Sequence, residues 1–146
     1  MKKILVTIAL MGVVCGSGCV STKQFVPMPD QDAAVQDSSK ARIYVLRPGA
    51  MASGIAMRVN DGETVIGKTG PNGYLCWERE PGEAEIRSKA ENTSVVKLTV
   101  EQNQVYYIRQ QPYPGFFIAR NKIFCIDADK GKELLAKCKA PSVEIP

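Results

Sequence analysis

From residue 41 onward the chain is interrupted roughly every 8 to 12 positions by turn-forming residues, a spacing that belongs to short strands and leaves no room for long helices. The interruptions are Pro48-Gly49, Asn60-Asp61-Gly62, residues 70–73 (GPNG), Pro81-Gly82, Glu91-Asn92, Gln102-Asn103 and residues 112–115 (PYPG). Between them stand runs rich in Val, Ile, Tyr and Phe. Residues 41–47 (ARIYVLR) alternate, and in residues 94–100 Val96, Leu98 and Val100 fall on one face while Lys97 and Thr99 fall on the other. Asn or Asp before Gly supplies the positive φ angles of a tight hairpin, so residues 54–59 and 63–68 should pair antiparallel. Further strands are expected at residues 74–78, 83–88, 105–109, 116–119 and 122–127. Helical spacing is confined to residues 130–139 (KGKELLAKCK), where Leu134, Leu135 and Cys138 share a stripe, with Asp127 and Asp129 ahead and Pro141 behind. Gly131 weakens that helix. The pattern predicts an all-β fold over residues 41–140: a single β-sandwich, immunoglobulin-like or transthyretin-like in outline, of eight or nine short antiparallel strands with a short C-terminal helix and a tail at 141–146.

The N-terminus carries a different message. Lys2 and Lys3 precede an apolar run from Ile4 to Val14, and Gly16-Ser17-Gly18 lead into Cys19. A run of that length is too short for a hydrocarbon core that needs roughly 20 helical residues, so it reads as a signal peptide with a cysteine at its exit. Residues 17–19 resemble the bacterial lipobox, from which Gly16 departs because Leu is usual there. Cys15 is the poorer candidate, since β-branched Val13 and Val14 precede it. Cys19 is therefore the expected lipidation site, carrying acyl chains such as palmitate after residues 1–18 are removed. Val20, rather than Asp, follows it, which resembles the pattern sent to the outer membrane; the domain would then face the periplasm. Residues 19–40 hold Ser, Thr, Gln, Asp, Pro27 and Pro29 without periodicity and read as a flexible tether, with a reach on the order of 25 Å.

Composition excludes more than it assigns. The 19 basic residues include Lys2 and Lys3, so 17 remain against 15 acidic ones after signal removal, too even a balance for a nucleic-acid binder. There is no histidine, which removes the usual general base and the usual zinc ligand. Three cysteines remain in the domain. Cys125 with Cys138 is the favoured disulfide, Cys76 with Cys125 the alternative, and free buried thiols the remaining reading; closing the first loop would contribute about 3 kcal/mol in the chain-entropy model. Asp127-Ala128-Asp129-Lys130-Gly131 fails as a calcium loop, because the glycine comes one position early and Cys138 stands where the closing Glu belongs. No cofactor or metal is expected.

The order ARIYVLRP, VNDGETVIGK, NGYLCWEREPGEAEI, LTVEQNQVYYIRQ and GFFIARNKIFCID with a trailing KGKELL resembles the uncharacterised bacterial lipoprotein family DUF2846, from about Ala41 to Leu135. The most specific pieces are Asp61-Gly62, Tyr74 ahead of Pro81-Gly82, Tyr106-Tyr107, and Gly115-Phe116-Phe117 followed by Arg120. A weaker resemblance to the PEGA repeat, a small surface β-domain, points the same way. The resemblance implies a fold and a location, and no catalytic residues.

Two candidate surfaces follow from the residues. Glu78, Glu80, Glu83 and Glu85 are numerous enough for a carboxylate pair of the kind an envelope hydrolase needs, but they alternate with Arg79 and Arg87 as a charged strand edge does. Trp77 shares a strand face with Leu75 and is expected in the core. Tyr113, Phe116, Phe117 and Arg120 form the candidate partner-binding patch: adjacent aromatics on a strand point to opposite faces, so one of the two Phe side chains must leave the core, to be exposed or covered by the helix. The expected function is that of a lipid-anchored, non-catalytic envelope module, binding another envelope protein or a cell-wall component, with no nucleic-acid partner and no identified small-molecule substrate. The alternative is an envelope hydrolase.

Overall fold

Residues 41–47 are buried from end to end, because alternate side chains of this one strand serve two cores. Ala41, Ile43 and Val45 enter the space between two sheets, while Tyr44 and Leu46 point the other way into a second cluster with Tyr74, Cys76, Tyr107 and Leu134. The computed structural model describes residues 19–146. In chain order the elements are β1 (Lys23–Gln24), β2 (Ala41–Arg47), β3 (Met57–Asp61), β4 (Thr64–Thr69), β5 (Gly73–Arg79), β6 (Gly82–Lys89), β7 (Thr93–Val100), β8 (Val105–Pro114), β9 (Ala119–Ile126), α1 (Ala128–Leu135) and β10 (Ser142–Val143).

A six-stranded sheet in the order β10-β1-β4-β3-β6-β7 faces a four-stranded sheet in the order β5-β2-β8-β9. The fold is an all-β sandwich. Its pairing is mixed where the sequence predicted an antiparallel arrangement: β2 with β8 and β1 with β10 run parallel. The inter-sheet core takes Val59, Ile66, Leu75, Trp77, Ile86, Val100, Ile108 and Ile123, with Trp77 buried as expected. The β3–β4 hairpin closes at Gly62-Glu63, one residue later than its sequence suggests, with an irregularity between Val59 and Asn60.

Helix α1 spans 128–135 rather than 130–139, with Asp127 as its N-cap accepting from the Lys130 amide at 2.9 Å. Gly131 does not merely weaken it. A Cβ there would lie 2.2 Å from the Tyr107 ring, so glycine is what lets the helix backbone lie on that ring and bury Leu134.

The tether expected at 19–40 is packed instead. The Gln24 side chain, fully buried, donates to Cys76 O at 2.7 Å and accepts from Cys76 N at 3.0 Å, serving the free edge of β5 as a neighbouring strand would. Val20 N donates to Ser53 O, Gly70 N to Thr22 Oγ1, and Arg42 gathers the carbonyls of Asp30 and Ala33. Polar composition without periodicity therefore marks a strap that satisfies an edge strand.

Neither expected disulfide forms: Cys19, Cys76, Cys125 and Cys138 are all unpaired. Cys125 sits opposite Ile108 and shares its face toward the second sheet, whereas Cys138 packs with the cluster on the outer face. Cys76 shares the outer face and lies on the far edge strand from Cys125, three strand spacings or roughly 14 Å away, beyond the 7 Å or so a disulfide spans. Burial pushes the Cys76 and Cys138 thiols up to about 11, which makes them poor nucleophiles at neutral pH.

Candidate functional site

The strand directions send residues 19–22, 48–56, 70–72, 90–92 and 114–118 to one end of the sandwich. Hydrogen bonds join them: Asn72 N to Gly49 O, Glu91 N to Ala119 O, Val20 N to Ser53 O. Among the described residues these five loops contain a single charged side chain, Glu91. The opposite end, with residues 36–40, 61–63, 79–82 and 101–104, carries Asp37, Asp61, Glu63, Glu80 and Glu101 against Lys40 and Arg79.

At the sparsely charged end, Phe116 and Phe117 are 84% and 85% exposed and meet edge to face, with ring centroids 4.6 Å apart. They lie in a turn and not in the strand expected at 116–119, closed by Gly115 N donating to Ile118 O at 3.0 Å. Helix α1 covers Tyr107 and leaves both Phe side chains bare. Tyr113, Ile118 and Met51 are also exposed, so five of the large exposed apolar side chains gather here. A groove of about 300 Å³ between Met51, Ala52 and Ile55 on one side and Tyr113, Pro114 and Ile118 on the other joins the two apolar loops.

The tip is exposed but firmly built. The Glu91 carboxylate accepts from the amides of Phe116, Phe117 and Ile118 at 3.0, 2.8 and 3.0 Å. Those amides, Ile118 first, hold its carboxyl down to about 2. A Cβ on Gly115 would come within 2.7 Å of both the Glu91 carboxylate and Ile118 O. The second loop hangs on Arg47, buried between the sheets, whose guanidinium donates to the carbonyls of Met51, Ala52, Ile55 and Thr69. Burial lowers it to about 10, still charged at neutral pH. Below the loops, Thr69, Ser88, Gln110 and Asn121 form a buried polar layer in which Gln110 bridges Thr69 and Ser88.

The other end holds a cleft of about 770 Å³ between the strap and the β3–β4 hairpin, lined by Val26, Met28, Asp61, Trp77, Glu78 and Arg79 among others. Asp61 accepts from Trp77 Nε1 at 2.9 Å and from Arg79 at 2.5 Å. Glu78 accepts from Arg42 at 2.9 Å and from the amides of Gln36 and Asp37. Beside the cleft, Asp61, Glu80, Glu83 and Glu85 line an open depression of about 390 Å³. Glu83 is taken by Thr99, and Glu85 by Arg87 and Lys97; these bonds, Arg87 first, lower the Glu85 carboxyl. A general acid needs a raised carboxyl. Glu78, Glu83, Glu85 and Asp127 are each committed to structural partners.

Of the residues singled out from sequence, Tyr113, Phe116 and Phe117 do come together at the tip. Arg120 stands beside them with Glu91 4.0 Å away. Cys19, exposed, lies at the same end through its neighbour Val20. Sequence reasoning missed Glu91 and Gln24, whose partners are backbone groups distant in the chain, and Arg47, which collects carbonyls from the irregular loop that follows it and from Thr69. Two arginines in the otherwise apolar run ARIYVLR were the one local hint.

Among the described residues, no three His, Cys, Asp or Glu side chains gather in a way that could hold a metal, and no helix is long and apolar enough to cross a membrane. No curated protein gives a significant match. A family model described as a protein of unknown function matches residues 37–118, more than half of the chain and including Arg47, Trp77, Glu91 and the Phe116-Phe117 tip. The chain belongs to the DUF2846 family.

Proposed function

We propose that this is a lipid-anchored envelope protein of non-catalytic type, a binding or structural module for another envelope protein or a cell-wall component. Residues 1–18, which lie outside the described residues, act as the signal peptide, Cys19 bears the acyl chains, and the domain faces the periplasm from the outer membrane. The observation that supports this reading most is the polarity of the sandwich. Cys19 leaves from the end where Glu91 is the single acid of five loops and Lys139 stands beside them, while the acidic end with its cleft lies opposite. An anchor there leaves the cleft open to a partner. The cleft offers an apolar wall, Val26 and Met28, beside the polar pair Asp61 and Arg79, a combination suited to holding a peptide or a polymer chain.

A hydrolase using a carboxylate pair is the second reading, favoured by the depression that Glu80, Glu83 and Glu85 share with Asp61. The ion pairs and hydrogen bonds on Glu83 and Glu85 weigh against it. Intact-mass measurement of the membrane form tests the anchor, with acyl chains on Cys19 as the expected result and an unmodified thiol as the refutation. Crosslinking in whole cells, with mass-spectrometric identification, tests the partner. The native chain should capture an envelope neighbour that the Cys19→Ala chain loses; identical neighbours would mean that placement at the membrane does not select the partner.

A further inference from the structure

The aromatic tip asks for an occupant of its own. Two side chains exposed by more than four-fifths are ordinarily mobile and tolerated singly. Here they are held on a turn whose three amides donate hydrogen bonds to the Glu91 carboxylate, flanked by Met51 on a loop fixed by Arg47. Rigid presentation of bare apolar side chains is costly in water and is the mark of a surface that meets something apolar.

We propose that the loops 48–56 and 114–118 enter the lipid bilayer, with Phe116, Phe117 and Met51 seated in the boundary between headgroups and acyl chains. Three observations select lipid over protein as the occupant. Cys19 emerges at this end, and the packed strap leaves no slack between it and the domain, so acyl chains on Cys19 bring these loops to the bilayer surface. The five loops carry one acid, already saturated by amides, while exposed Lys89, Arg120 and Lys139 stand behind them. That is the charge order an anionic bilayer favours: apolar tip first, cations at headgroup depth, acids farthest away. The apolar side chains are also on two protruding loops rather than on a flat face, so they enter a fluid phase without needing a complementary surface. The direction of approach rests on the lipid-anchored reading; the affinity of the tip for lipid does not.

The test uses the chain purified from membranes, its mass measured, in vesicles of phosphatidylethanolamine and phosphatidylglycerol with brominated acyl chains. In a Phe117→Trp variant, the new indole should emit at shorter wavelength and be quenched by bromine roughly fivefold more than Trp77, which lies at the opposite end, if the tip sits within the 5 to 10 Å interfacial layer. A water-like, unquenched indole in acylated protein overturns the inference and leaves the anchor standing. A blue-shifted indole that bromine does not reach means that a protein or a second copy of this chain covers the tip, and overturns it too. If the mass shows no acyl chains, the anchor fails, and the same measurement on the unacylated chain decides the tip alone: quenching supports the inference and its absence refutes it.

Discussion

Two arginines on one strand hold the two ends of this molecule, and they do it by opposite means. Arg42 and Arg47 are five residues apart on β2, so their side chains leave opposite faces. Both are buried. Arg42 meets Glu78 at 2.9 Å, with the Asp30 and Ala33 carbonyls completing its shell. Desolvation pulls its pKa down, but the hydrogen bonds it donates to Tyr44 and Glu78 outweigh that, and the net shift is upward. Arg47 has no carboxylate, only four carbonyls, and burial lowers it. The acidic end is thus closed by a buried ion pair. The tip end is closed by neutral oxygens around one cation, which spares its loops the acids that pairing would have required.

Breaking each arginine is the most direct attack on that comparison. Arg42→Met leaves Glu78 without its cation, and loss of one partner from a buried pair costs about 3 to 5 kcal/mol. Urea unfolding should show a loss of that size. Arg47→Met leaves only carbonyls behind, and those of Met51 and Ala52 lie in a surface loop that can turn to water, so the loss should be smaller, about 2 to 3 kcal/mol. Faster amide exchange should then be confined to residues 50–56. An Arg47→Met chain with an unchanged 50–56 loop would break the claim that this residue builds the tip.

Gln24→Ala asks whether the strap belongs to the fold. It strips both the N–H and the C=O of Cys76 of their partner at a fully buried position, and a loss of about 1 to 3 kcal/mol is expected in the same unfolding experiment. A change below about 0.5 kcal/mol, typical of surface substitutions, would return residues 20–28 to the status of a tether.

These residues also show where the sequence was legible. The strands, the hairpins and the burial of Trp77 follow from alternation and turn chemistry, which act over a few neighbours. The short helix was visible through Leu134 and Leu135, but Gly131 was misleading, because its value lies in contact with Tyr107 and no local rule encodes that contact. The strap was misread for the same reason: Gln24 looks like any polar linker residue until the free edge of β5 is beside it. At the tip, the Phe pair announced itself by composition, while Glu91, some 25 positions earlier, looked like an ordinary turn residue. Parallel pairing of β2 with β8 was hidden because alternation is the same for either direction.

The smallest effect on global stability, and the sharpest on the tip, belongs to Glu91. Its folded carboxyl is held at about 2, below the ordinary 4.5, because the charged form accepts three amides. A depressed carboxyl gives its full support above the unfolded value and loses it as pH falls through the folded one. The amide resonances of Phe116, Phe117 and Ile118 should therefore stay fixed down to about pH 4 and move together as the pH approaches 2. Glu91→Gln removes the charge while keeping one acceptor oxygen, so the same amides should be shifted already at neutral pH and show no titration. The acidic end supplies the control. Asp37 is lowered chiefly by the side-chain hydroxyl of Ser39 and then by its amide, so the Ser39 amide should respond to acid in both the parent and the Glu91→Gln chain. If the Phe116–Ile118 amides still titrated in the variant, the tip would be held by something other than Glu91, and its rigidity could no longer be traced to a single carboxylate.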